Sequence, residues 1–284
     1  MNTIDSLMQG AIDMHVHHAP DAQRGRRVDA LEAAIQAEQA GMRAIVIKSH
    51  DYPTAPLAYI VGRQVRNLAV FGGISLDFAV GGLNPVAVET SAILGAKVVW
   101  MPTFSSANDH RRLKLGSEGI KIVDEEGKLL PVVHEILNIV KKYDMVLATG
   151  HVSAPEAFTL VDEARRQGLT RIVATHPLEQ RVGATLSIEE QKQMAEKGAF
   201  IEHCFLCLMP LGDRLDPMRM VEAIRAVGAE RCILTTDLGQ DFNPPPAEGM
   251  RMMLATLLRY KLSAEEIELM VKVNPARLLG LTSD

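Results

Sequence analysis

Eight short apolar, β-branched runs recur along the 284 residues, and every run but the last is followed by a helical pattern. The runs are Ala11–His17, Ala44–His50, Ala69–Leu76, Lys97–Phe104, Met145–Val152, Arg171–His176, Ala199–Phe205 and Cys232–Leu238. Strands alternating with helices build a parallel sheet. Units of roughly 30 residues match the ordinary βαβ span and leave two architectures, a closed barrel or an open doubly wound sheet. No G-x-G-x-x-G follows the first run, which removes the usual signature of a dinucleotide-binding open sheet. The expected fold is a (β/α)8 TIM-type barrel, a single domain over residues 1–284.

Helix signals fit this frame. Val28, Leu31, Ala34, Ile35 and Glu38 precede a stop at Gly41, and Ser153–Glu156, Ser187–Glu190 and Ser263–Glu266 each carry the S-x-x-E capping pattern. The closing helix is expected over 264–273, ending at Asn274-Pro275. The Ser105 to Leu130 connection is much longer than the others. Within it Ile120–Val123, the turn Asp124–Gly127 and Lys128–Leu130 predict a β-hairpin insertion after the fourth strand, and such long connections serve as lids or binding loops. Pro244–Pro246 reads as a stiff loop before a helix starting near Glu248.

Composition narrows the function. The net charge of −5 has its signs interspersed, and aromatic residues are 4 % of the chain, so neither a nucleic-acid footprint nor a base-stacking platform is expected. No apolar stretch reaches the ~18 residues of a membrane span, and Met1–Gly10 lacks a basic segment followed by an apolar run. Cys204, Cys207 and Cys232 form no paired framework. The lone Cys204-x-x-Cys207 reads as buried thiols rather than half of a zinc site. A cytoplasmic protein acting on a small molecule is expected, with assembly of identical copies left open.

The nine histidines carry the chemistry. His15, His17, His50, His151, His176 and His203 fall at or near the ends of expected strands, which a parallel barrel gathers on the face where such barrels hold their active sites. His18 follows directly, His110 lies in the long connection and His134 on a helix. Any one imidazole could simply cap its strand; six converging suggest a shared ion, since neutral imidazole is the commonest metal ligand. His15 and His17, two apart on a strand, share a face. Asp237 ends the eighth run, which a closed barrel sets beside the first. Lys48 and His50 share a face of the second strand; Lys48 could hold a substrate anion or pair with a buried carboxylate. Glu202 and His203 alternate, so one of the two faces inward. Arg111, Arg112 and Lys114 read as a solvated loop.

The segment Ile12-Asp-Met-His15-Val-His17 resembles the opening strand of the amidohydrolase superfamily. His151, His176 and Asp237 follow in the order that superfamily uses at strands five, six and eight, and Asn274–Leu281 is similar to the closing segment of many members. The resemblance covers the whole chain. It implies that His15, His17, His151 and Asp237 bind a divalent metal, and that His176 serves a second metal or the substrate. Zinc comes first, with iron or manganese as alternatives. Two-metal members bridge their ions with a lysine or glutamate at the end of strand four. Here that strand reads Val99-Trp-Met-Pro-Thr-Phe104, which favours one ion, with Glu202 as the substitute bridge if there are two.

The implied activity is hydrolysis of a C–N or C–O bond in an amide, cyclic amide, lactone or amino-heterocycle, with catalytic roles for Asp237 and His176. Lys48, His50, His203 and Glu202 are candidates for binding substrate, which Lys48 suggests is an anion. Rival readings are a metal-dependent decarboxylase, a phosphoesterase (disfavoured by the scarcity of arginine at the strand ends) and a non-catalytic binding barrel.

Overall fold

The computed structural model describes residues 3–281. Its strands are β1 (Ile12–His17), β2 (Ala44–Lys48), β3 (Ala69–Ser75), β4 (Val98–Trp100), β5 (Val146–Ala148), β6 (Ile172–Ala174), β7 (Phe200–Cys204) and β8 (Cys232–Thr235). They pair in parallel in chain order. The sheet returns on itself where Val16 bridges Leu238: His17 donates its N–H to Leu238 O, and Asp237 donates its N–H to His15 O, both at 2.9 Å. The expected barrel is the observed one. No helix among the described residues is long and apolar enough to cross a membrane.

Two apolar layers sandwich the strands. Ile12, Met14, Val46, Val98, Val146, Val173, Phe200 and Ile233 fill the barrel floor, while residues of opposite parity, such as Ile45, Ile47, Val99, Leu147 and Ile201, pack beneath the helices. Strand alternation makes this division. One irregularity in β1 matters more than the rule: Asp13 pairs with Ile45 and Val16 with Ile47, so three steps on β1 face two on β2. This extra residue is a bulge. It lets Met14 fill the floor and still turns His15, and then His17, inward. Trp100 occupies the inner face of β4 and finds room because Gly73 stands opposite; a Cβ there would lie 2.5 Å from the indole.

Helix starts follow the local chemistry. Asp29, Ser153, Ser187 and Ser263 each close a reciprocal capping box with a glutamate three residues on, each such cap contributing about 1 kcal/mol. The connection after β4 departs from expectation in detail. Its hairpin shrinks to one antiparallel bridge, Val123 to Leu129, closed by Asp124 N–H to Lys128 O at 2.8 Å. Before it runs a helix, Ala107–Leu113, capped by Ser106, that the polar sequence Asn108-Asp-His-Arg-Arg112 had concealed. The chain end also differs. Instead of stopping at Asn274-Pro275, helix Ala264–Glu268 passes through a wide π turn, Leu269–Val273, into helix Asn274–Leu279. A proline in a first helical turn has no N–H to satisfy, and Asn274 Nδ2 donates to Ala229 O and Cys232 O, tying this end to the base of β8.

β4, β5 and β6 leave the ladder early, and their continuations form the barrel mouth. Gly150, just before His151, has φ +62°, and a Cβ there would lie 2.1 Å from Met101 O. We expect Gly150→Ala to cost at least ~2 kcal/mol, since a positive φ alone costs an L-residue about 1–2 kcal/mol, and to displace His151. Urea unfolding of the variant checks this; unchanged stability would show that Met101 and Gly150 move apart freely.

Candidate active site

At the mouth a cavity of about 250 Å3 is lined by His17, Lys48, His50, His151, His176 and Asp237, among others. His15 lies just beneath, fully buried. Asp237 Oδ1 stands 3.2 Å from His15 Nε2 and 3.0 Å from His17 Nε2, so closure of β8 onto β1 brings the three together. Across the mouth His151 Nε2 and His176 Nε2 face each other at 3.1 Å.

Each imidazole is aimed by something behind it. Glu202 Oε1 lies 3.1 Å from His15 Nδ1; the same carboxylate accepts Thr235 Oγ1–H at 3.1 Å and the His176 N–H at 3.3 Å. Glu202 therefore faces inward and backs His15 and His176. With its Nδ1–H donated there, His15 presents the Nε2 lone pair, to which the Lys48 ammonium approaches at 3.1 Å. His151 Nδ1 is 2.6 Å from Asp109 Oδ2, and Asp109 Oδ1 accepts the Gly183 N–H at 2.8 Å. Ser106 and Asn108 also donate to His151 O, each at 3.0 Å. The helix after β4 thus holds His151 in place. His50 Nδ1 contacts Thr103 Oγ1 at 2.7 Å and Asp77 Oδ2 at 3.4 Å. Such carboxylate backing fixes which nitrogen carries the proton and which offers its lone pair.

Burial sets the electrostatics. Desolvation holds His17 and His176 well below the usual imidazole range and moves His50 down to about 4, so all three stay neutral at pH 7. Burial also lowers the Lys48 pKa, against the pull of Asp237, Asp77 and Glu202. Asp237 is held well below the carboxylate range by His15, His17 and His176 against its own desolvation, while burial and the adjacent Asp237 push Glu179 up. His176 and Asp237 have φ +26° and +53°, sparsely populated backbone of the sort that gathers at functional sites.

His203 is not brought to the cavity. It is fully buried on the outer face of β7 beside Ile201, and neither ring nitrogen has a partner among the described residues. Three residues of the site escaped sequence reasoning. Asp77, just past the third run, follows the same strand-end logic as the histidines and was legible. Asp109 and Glu179 sit in connections and signal nothing locally. The cavity is also lined by Arg24, Arg26 and Arg181, which come from the connections after β1 and β6, where a scan of strand ends does not look. Arg112 instead clasps Gly183 O and Gln180 O, tying the post-β4 helix to the connection after β6. The three cysteines are buried and free, as their apolar setting suggested.

The donor set fits a divalent metal. Two ligand atoms ~2.0–2.1 Å from one tetrahedral zinc stand about 3.3 Å apart, close to the separations around Asp237 Oδ1, and the imidazoles are neutral and backed as ligands require. The nitrogen and carboxylate donors of His15, His17 and Asp237 lie within 4.8 Å of one another.

The chain belongs to a family described as a family of unknown function, DUF6282, whose model matches residues 10–202, from β1 into β7. No curated protein matches the sequence. Its fold is shared with solved structures of the amidohydrolase superfamily. An amidohydrolase from Pseudomonas aeruginosa is 14% identical at TM-score 0.69, covering 97% of this chain and 98% of that one. A probable 2-pyrone-4,6-dicarboxylic acid hydrolase from Acinetobacter baumannii, with citric acid bound, is 12% identical at TM-score 0.63 (96% and 100% covered). A 2,6-dihydroxybenzoate decarboxylase from Rhizobium is 13% identical at TM-score 0.56 (96% and 99% covered).

His203 generates a prediction. Its pKa falls to about 3 through burial alone. The unfolded chain therefore binds a proton near pH 6.5 that the native state refuses, and stability falls as pH drops from 6.5 toward 3, at up to about 1.4 kcal/mol per pH unit. His203→Leu should change stability at pH 7 by less than ~1.5 kcal/mol and flatten this acid loss by about one proton. Urea melts from pH 7 to pH 5 decide it; an unchanged slope would mean that His203 is protonated or hydrogen-bonded in the native protein.

Proposed function

We propose that this protein is a metal-dependent hydrolase that cleaves a C–N or C–O bond of a small anionic substrate. The observation that carries the reading is the meeting of His15, His17 and Asp237 on one point of the cavity floor, with Asp237 Oδ1 within 3.2 Å of both imidazoles. These residues, with His151 and His176 across the mouth, would hold the ion, zinc first and iron or manganese as alternatives. A bound divalent ion makes water a nucleophile at neutral pH by lowering its pKa to about 7. Asp237, depressed and ionised, accepts the proton of the attacking water and returns it to the leaving group. His176 and His50, neutral and at the cavity wall, hold the reacting carbonyl. Lys48 at the floor and the arginines at the rim favour a carboxylate-bearing substrate. The structural neighbours described as a dicarboxylic acid hydrolase and a dihydroxybenzoate decarboxylase lend support to an anion. We place the protein in the cytoplasm, given its three unpaired thiols.

A second reading, decarboxylation, is favoured by one observation: the Lys48 ammonium lies against His15 and can draw a substrate carboxylate to the floor.

Asp237→Asn keeps size and an oxygen but loses the base. We expect kcat to fall by ~10²–10⁴ while metal content, read by plasma mass spectrometry, stays largely unchanged. Turnover of lactones, amides and carboxylated aromatics in ¹⁸O-labelled water should place label in the product. Carbon dioxide release without label would overturn the hydrolase in favour of the lyase, and a protein that takes up no metal on reconstitution would sink both.

A further inference from the structure

The buried carboxylates of the site are not equivalent. Glu202 is spent: one oxygen serves His15 and Thr235, the other the His176 N–H. Asp109 is spent on His151 and Gly183. Glu179 differs. It sits three residues after His176, is 4 % exposed and lines the cavity. Its Oε1 makes no hydrogen bond among the described residues, and its Oε2 is 3.6 Å from His176 Nδ1, itself without a hydrogen-bond partner. Donor atoms of His176, Glu179 and Asp237 lie within 4.8 Å of one another.

Two carboxylates and a neutral imidazole turned toward each other in a buried pocket leave negative charge uncompensated, and buried charge is costly unless it is paired or coordinates a metal. Lys48 does not relieve it, because its amine lies on the far side of the site against His15 Nε2 and over the Trp100 ring. An acidic pair with free, inward-facing oxygen and nitrogen donors is what a hard or borderline divalent cation binds.

We propose that Glu179 is a metal ligand and that, with His176 and Asp237, it forms a second divalent-cation site beside the His15–His17–Asp237 group. This rests on the metal-dependent reading above, and Asp237 is the residue common to both sites. The position at the end of β4 that could have supplied a bridging carboxylate or lysine is filled by Trp100, whose ring lies 5.8 Å from that of His15. The second site therefore draws its carboxylate from the opposite wall, out of the connection after β6. The sequence reading had named Glu202 for this task; its oxygens are already engaged.

Cobalt(II) titration of the metal-stripped full-length protein, followed by visible absorption and calorimetry, tests the assignment. Wild type should show two successive equivalents. Glu179→Gln, of equal size, should keep the first and bind the second at least ~100-fold more weakly, whereas Glu179→Asp should retain part of it. The first equivalent reports correct folding within the same titration. A Glu179→Gln protein with two equivalents of unchanged affinity and spectrum, or a wild type that stops at one, overturns the second site and leaves the hydrolase reading standing. A wild type that binds none overturns the metal reading as well.

Discussion

The seam between β8 and β1 is narrow, yet it sets the distance between Asp237 and two histidines 220 or more positions earlier in the chain. Only a few backbone bonds cross it, and Asp13 reinforces them from outside the barrel. Its Oδ1 accepts the N–H groups of His15 and Thr236, each at 3.1 Å, and its Oδ2 accepts Thr236 Oγ1–H at 2.5 Å. One side chain thus fastens the bulged part of β1, where His15 turns inward, to the residue that precedes Asp237. Burial raises the Asp13 carboxyl to about 6 even though three hydrogen bonds oppose the shift. A bulge alone would leave the orientation of His15 loose; the bulge and this clamp together aim it.

A site this dense in buried polar groups folds only if nearly every group finds a partner. The partners come in rings. The inner ring is the imidazoles and Asp237; the outer ring is Glu202 behind His15, Asp109 behind His151, and Asp77 with Thr103 behind His50. Asp77 shows how an outer member stays ionised: Thr103 and Ser105 donate their backbone N–H groups to its Oδ1, each at 2.9 Å, and with His50 they drive its pKa far down despite burial. The insertion after β4 belongs to this outer ring through Asp109. That explains why so long a connection is ordered: it is a buttress for His151.

Much of this was legible in the sequence because it follows from period and position. Eight runs and their helices specify the barrel, and histidines at run ends mark its functional face. Parity could not settle β1, because a one-residue bulge changes which side chains face in without altering composition. For β7, alternation limited the choice to Glu202 or His203, and only closure of the barrel against His15 decides for the carboxylate. Asp109 and Glu179 were beyond local reading: their roles depend on where connections fold back, and nothing in Ser106–Asp109 beyond a helix cap, or in His176–Glu179, announces a partner more than 40 residues away. Pro275 misled for the opposite reason, since a proline reads as a stop and the π turn before it lets the helix continue.

The cavity's own field sharpens what can enter. The chain is acidic overall, at −5, and the floor holds ionised Asp237, yet the rim carries Arg24, Arg26 and Arg181. Two of these are already paired: Arg26 with Asp21, whose carboxyl lies 2.8 Å from the guanidinium Nε, and Arg181 with Asp213 at 3.4 Å. Arg26 also reaches to 3.3 Å from His17 Nδ1, so it positions as much as it attracts. Arg24 has no ion pair among the described residues and lies 4.7 Å from the Phe104 ring, a face-on contact that holds a guanidinium without neutralising it. A charge so held, at the edge of a cavity walled by low-dielectric side chains, acts on an incoming anion more strongly than a solvated surface arginine would. The rim and floor thus divide the work: Arg24 draws an anion in, and Lys48 with the neutral imidazoles receives it beside Asp237.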